Sequence, residues 1–99
     1  MGYELFAIPA CQRVLKKLPQ EVQYHLFEKF QHLRGDPYSS PQLQGKMCFL
    51  CSIHTRYKNV DYRAVYEVDE KNRRIILWYA ASRENFYKEL RRLPLKRVA

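Results

Sequence analysis

Ile53-His54-Thr55-Arg56-Tyr57-Lys58-Asn59-Val60-Asp61-Tyr62-Arg63-Ala64 decides how the second half of this chain folds. Alternating side chains on both sides of a short polar break are the pattern of two antiparallel strands joined by a tight turn. A turn centred on Lys58-Asn59 pairs Tyr57 with Val60, although Lys is not the favoured first residue of such a turn; a four-residue loop over Tyr57 to Val60 keeps the same register. Either one pairs Arg56 with Asp61, Thr55 with Tyr62, His54 with Arg63 and Ile53 with Ala64. Met47, Phe49, Cys51, Ile53 and Thr55 then share a face with Tyr62, Ala64, Tyr66 and Val68, and that face is the expected core. Ser52, His54, Arg56 and Arg63 lie on the other.

Working outward, strands are expected at Met47 to Arg56, Val60 to Asp69 and Arg73 to Ala81. The last is apolar on both faces, with Ile75, Leu77 and Tyr79 on one and Ile76, Trp78 and Ala80 on the other, so it belongs in the middle of the sheet. Tyr3 to Ile8 reads as a first strand, and Pro9 ends it and starts a short helix over Ala10 to Lys17. After the Leu18-Pro19 break, Val22, Leu26, Phe30 and Leu33 recur at helical spacing until Gly35-Asp36-Pro37 stops them. The two helices form a hairpin over one face of the sheet. Tyr38 to Gly45 is a surface connection. A final helix is expected from Ser82 as N-cap, with Phe86, Leu90 and Leu93 buried and Pro94 ending it. The expected class is therefore α+β: a four-stranded antiparallel sheet with an N-terminal helical hairpin and a C-terminal helix, in one domain over residues 1–99.

The chain carries 18 Lys and Arg against 10 Asp and Glu, a formal charge of +8, so its partners are expected to be anionic. Residues 1–45 account for only +1 of this and residues 46–99 for +7, which places the functional half where the strands and last helix meet. Three cysteines cannot complete an intramolecular disulfide set, and Met1-Gly2-Tyr3-Glu4 does not open a charged segment followed by an apolar stretch, so a cytoplasmic location is expected. The longest wholly apolar run, Ile75 to Ala81, falls far short of the roughly 20 residues that span a bilayer as a helix, and no membrane partner is expected. Cys48-Phe49-Leu50-Cys51 has the spacing of a metal half-site, but strand positions three apart point to opposite faces and no second pair completes a site. No metal or cofactor is expected, and His25 and His32, on the long helix, read as surface or core-edge residues.

His54, Arg56, Arg63, Arg83 and Tyr87 carry the candidate chemistry, with Lys46, Lys58, Lys88, Arg91 and Arg92 around them as RNA-binding cations. Cleavage of RNA by its own 2′-hydroxyl requires removal of a proton, stabilisation of extra charge on phosphate oxygens, and protonation of the departing 5′-oxygen. His, Arg and Tyr can do all three without a metal. Arg63 and Arg83 suit the oxyanion, since guanidinium presents a planar fork of permanent charge. Imidazole makes His54 the better proton acceptor, while Tyr87 could orient the nucleophile, donate to phosphate or stack on a base. The same residues would also serve as an ordinary sheet with cations on its solvent face and a tyrosine bracing a helix.

The ordered set Leu18-Pro19, Asp36-Pro37-Tyr38, Leu43-Gln44-Gly45, Tyr62-Arg63-Ala64-Val65-Tyr66 and Arg83-Glu84-Asn85-Phe86-Tyr87 resembles the RelE/ParE toxin superfamily of bacterial toxin–antitoxin systems over nearly the whole chain. The resemblance implies a RelE-like fold and a metal-independent endoribonuclease, an mRNA interferase that cuts message on the ribosome and leaves a 2′,3′-cyclic phosphate and a 5′-hydroxyl. Arg63 matches the family's arginine in its central Tyr-Arg motif, Arg83 the arginine before the last helix, and Tyr87 the tyrosine within it. Where nuclease members often place Lys or Arg on the preceding strand, this chain has His54 and Arg56. The resemblance also implies a cognate acidic antitoxin, with operator DNA contacted only through the complex. Its alternative is the ParE branch, which inhibits DNA gyrase by protein binding without nuclease chemistry.

Overall fold

The computed structural model describes residues 2–43, 45 and 48–90, and of Tyr87, Glu89 and Leu90 the backbone alone. The turn at the centre of the deciding stretch has φ of 50° at Lys58 and 66° at Asn59, the paired left-handed residues of a type I′ turn. It joins β2 (Leu50–Tyr57) to β3 (Val60–Asp69) in the expected register, with His54 opposite Arg63 and Arg56 opposite Asp61. β4 (Arg74–Ser82) pairs antiparallel to β3, and β1 (Glu4–Ala7) lines the far side of β4, giving the order β1-β4-β3-β2.

Three differences from the expected sheet have physical causes. β1 runs parallel to β4, Phe6 beside Ile76, because the helical hairpin after β1 returns the chain across the sheet rather than along its edge. β2 begins at Leu50; Cys48 and Phe49 form a turn, and Met47 lies outside the described residues. A bulge lies between Val65 and Tyr66, whose partners are Tyr79 and Leu77, so Trp78 is the extra residue on β4. The extra residue reverses the alternation beyond it. Tyr79 consequently packs with Ile76 and Trp78, and Ala80 with Ile75 and Leu77, the opposite of the expected assignment.

Pro9 occupies the first turn of α1 (Pro9–Lys17), where its missing N–H costs no hydrogen bond. Leu18 is extended, ψ 155°, as a residue before proline prefers, and α2 (Gln20–Leu33) follows. Val22, Leu26, Phe30 and Leu33 are buried against Cys51, Ile53, Ala64, Tyr66, Val68, Ile75 and Leu77, so the expected core face is the one the hairpin covers. At the end of α2 the Arg34 carbonyl accepts a 2.9 Å bond from the Tyr3 backbone N–H, tying the first strand down. A Cβ on Gly2 would stand 2.7 Å from that carbonyl, so the approach requires glycine. The other sheet face, read as polar, holds a second core of Leu50, Val65, Ile76, Trp78, Tyr79, Ala81 and Phe86 beneath α3 (Arg83–Leu90). Leu93 and Pro94, expected to finish that helix, lie outside the described residues. No helix of the described residues is long and apolar enough to cross a membrane.

Candidate nucleic-acid interface

β3 alternates strictly before its bulge, so Asp61 and Arg63 project from the same face as buried Val65, toward the side that α3 covers. Arg63 is half-buried, with its Nε shielded from solvent, between His54 on β2 and Ala81 on β4 in the two ladders. His54 is exposed on the outer strand.

Arg56 faces Asp61 across the hairpin, its Nε 3.9 Å from Oδ1. From the other side Arg83 brings Nη1 to 4.0 Å from Oδ2 of the same carboxylate. Arg83 can do so because Tyr62 pairs with Ser82, and one further step of the ladder sets the first residue of α3 beside Asp61. α3 is anchored there by Phe86, fully buried with its ring 6.1 Å from that of Tyr79. Three of the expected arginines are thus gathered at one end of one sheet face, with Asp61 between two of them. Asp61 was not among the expected site residues. The register itself was the signal, since it names Asp61 as the partner of Arg56.

Lys58 stands at the exposed hairpin tip, Nζ 5.4 Å from the Tyr57 ring centroid, and Lys88 is exposed on α3. Tyr87 falls one turn after Arg83 on the α3 backbone; its side chain, with Lys46, Arg91 and Arg92, lies outside the described residues. Glu67, on the same face as Arg63 and Val65 but deeper, is fully buried and accepts a 3.2 Å bond from Trp78 Nε1. Cys48 is exposed in the turn before β2 while Cys51 is buried on the hairpin side, so the strand alternation expected to separate the two does not apply to Cys48.

At the far end of the sheet Asp69 accepts bonds from Asn72 N and Nδ2 and from Arg74 Nε and Nη2, between 2.9 and 3.2 Å. Those donors, the Asn72 amide first, hold its carboxyl below the ordinary value of 3.8. Glu70 accepts from both Tyr3 and Tyr38 hydroxyls, which lower its own pKa and push that of Tyr38 up to about 12. Glu70 thus ties the start of the chain and the connection after α2 to the β3–β4 turn, while Asp69 braces that turn itself.

A family model described as the ParE-like toxin of type II bacterial toxin–antitoxin systems matches residues 5–91. No curated protein sequence gives a significant match. Among solved structures, the chain is similar to a double arginine-to-alanine mutant of the E. coli toxin RelE in the free state, at 22% identity over 94% of this chain and 99% of that one, with a TM-score of 0.75. The same mutant in complex with a peptide of its antitoxin RelB matches at 24% identity over 100% of both chains, TM-score 0.73. The toxin–antitoxin complex RelBE2 of Mycobacterium tuberculosis matches at 21% identity over 84% of this chain and 100% of that chain, TM-score 0.70. At such identities the likeness is one of fold.

Proposed function

The chain belongs to the ParE-like toxin family of type II bacterial toxin–antitoxin systems, within the RelE/ParE superfamily, and from that premise we propose that it is a metal-independent endoribonuclease cleaving mRNA on the ribosome. The observation that carries the reading is the gathering of Arg56, Arg63 and Arg83 at one end of one sheet face. Three permanent cations at a water-accessible edge suit a phosphodiester whose charge grows in the transition state.

In this reading the 2′-oxygen attacks the adjacent phosphorus, the bond from phosphorus to the 5′-oxygen breaks, and the products carry a 2′,3′-cyclic phosphate and a 5′-hydroxyl. His54, directly across the ladder from Arg63, takes the 2′-hydroxyl proton. Arg63 and Arg83 receive the non-bridging oxygens, and Arg56 steers the strand toward them. Tyr87, one turn beyond Arg83, is assigned the phenol that orients the nucleophile or donates to the phosphate. A proton then returns to the departing 5′-oxygen. The cognate partner is an acidic antitoxin that neutralises the basic half of the chain, with operator DNA bound through the complex; the place of action is the cytoplasm.

The test is to express the chain in a translating extract and map RNA ends. Arg63→Ala should lower the cleavage rate by about a hundredfold or more, the usual cost of one oxyanion donor. Intact message beside an arrested extract would refute the nuclease. A second reading, gyrase inhibition by protein binding, is favoured by Asp61, which already engages two of the three arginines. Toxicity that survives substitution of Arg63, Arg83 and Tyr87 together with gyrase-linked DNA breaks would select it.

A further inference from the structure

Beyond the edge of β2, a cleft of about 350 Å³ separates that strand from the C-terminal half of α2. α2 contributes Lys29 and His32 to one wall and β2 contributes Ser52 and His54 to the other, above an apolar floor of Leu33, Pro41 and Ile53. The remaining two hydroxyls are occupied: Ser39 Oγ donates to the Asp36 carbonyl at 2.9 Å, and Ser40 bonds the Tyr66 phenol. Lys29 and His32 therefore face the edge of β2, where Ser52 and His54 alternate toward the opposite sheet face and His54 continues the cleft toward Arg63. None of the described residues lining the cleft carries a carboxylate, so an anion entering it meets no like charge on its walls.

Size and connection narrow the occupant. Small-ligand sites run from about 300 to 1,000 Å³, and this one, at the low end, takes one nucleotide rather than a folded strand. His54 belongs both to the cleft and to the ladder position opposite Arg63, so a chain lying on the arginine face reaches the cleft by rounding the β2 edge. An ammonium and an imidazole suit a phosphate, while exposed Pro41, beside the largely buried Ile53, offers an apolar contact to a base or ribose.

We propose that the cleft between α2 and β2 is a subsite for a nucleotide flanking the scissile linkage, its phosphate held by Lys29 and His32 and its sugar or base seated against Pro41 and Ile53. The inference rests on the nuclease reading for the direction of the RNA and adds to it a second binding position outside the reacting atoms.

The experiment uses the full chain and non-cleavable oligonucleotides, deoxy at the scissile ribose, lengthened one nucleotide at a time on either side. Affinity is read by fluorescence anisotropy. Lys29→Ala with His32→Ala should weaken binding about tenfold, the loss of one charge-assisted contact, only once the oligonucleotide extends far enough on one side to reach the cleft. Both residues are exposed, so a melting curve checks that the fold is kept, and Lys29→Arg should restore most of the affinity. Undiminished binding at every length, with Arg63→Ala still abolishing cleavage, overturns the subsite and leaves the nuclease reading intact. A length-dependent loss in a protein that cuts no message supports an RNA contact at the cleft but refutes the nuclease, and with it the placement beside a scissile linkage. Weakened antitoxin binding with unchanged RNA binding overturns the subsite in favour of a protein contact.

Discussion

Asp61→Asn separates a structural salt bridge from a place-holder for phosphate. Both contacts of Asp61 are long, 3.9 and 4.0 Å, between side chains that remain 39% exposed on the aspartate and 66% on each arginine. Two unit charges at 4 Å in bulk water attract by about 1 kcal/mol, and exposed pairs retain about 0–1 kcal/mol after side-chain ordering and salt are counted. The substitution should therefore cost no more than about 1 kcal/mol of folding stability. An RNA phosphate docking on Arg56 and Arg83 must come within a few ångströms of the same carboxylate, where the repulsion it meets is again about 1 kcal/mol. Relieving it should tighten RNA binding roughly fivefold at low salt, an advantage that shrinks as salt rises. The assay is anisotropy of a non-cleavable oligonucleotide at two salt concentrations, with Glu21→Gln on α2, beyond the opposite sheet face, as the control for the same change in net charge. Equal gains in both variants would reduce the effect to net charge. Weaker binding by Asp61→Asn would show that the carboxylate organises the arginines rather than competing for them, and would refute the reasoning.

Phe86→Ala should destabilise by about 3–5 kcal/mol, since the ring is fully buried under α3, and should shift the urea midpoint accordingly. Asp69→Asn should lower Tm at neutral pH but not in acid. The folded-state pKa of Asp69 lies below 3.8, so its stabilisation is present above that value and disappears as pH falls through the lowered one; melting curves of the two proteins should converge only below 3.8. Of the three thiols, Cys48 should react rapidly with an aromatic disulfide at mildly alkaline pH, while Cys11, pushed by burial up to about 12, and Cys51, also raised by burial, should react only on unfolding. Fast titration of more than one thiol would mean that the hairpin-side core opens more readily than its packing allows.

The hairpin was readable because alternation assigns the faces and a two-residue turn or a four-residue loop gives the same register, although Lys58 is not a residue that favours the positive φ it adopts. The direction of β1 was less accessible, since a strand of four residues carries no mark of which neighbour it joins, and its pairing follows from where the helices return it. The second core was missed for a related reason. Leu50, Val65, Ile76 and Phe86 are scattered over three strands and a helix, and one extra residue in β4 turns Tyr79 and Ala81 to their side. The arginines themselves were legible by type and register, but their distance from one another was not.

That extra residue also determines how the candidate site is assembled. Downstream of the bulge Arg63 pairs with Ala81 and Tyr62 with Ser82, so the next position, Arg83, arrives beside Asp61. Without Trp78 as the additional residue, the ladder set by Tyr66 and Leu77 would continue evenly: Tyr62 would meet Ala81, and Arg83 would fall past Asp61 toward the hairpin turn. Arg56 would still face Asp61 through the β2–β3 register, which the bulge does not touch. One inserted strand residue, roughly four residues before the helix, thus distinguishes a face with one arginine pair from a face on which arginines from three elements converge. The buried Trp78 side chain, with its indole N–H on Glu67, holds that irregularity in place from the core side. A bulge re-aims the side chains beyond it, and here the side chain brought beside Asp61 is Arg83.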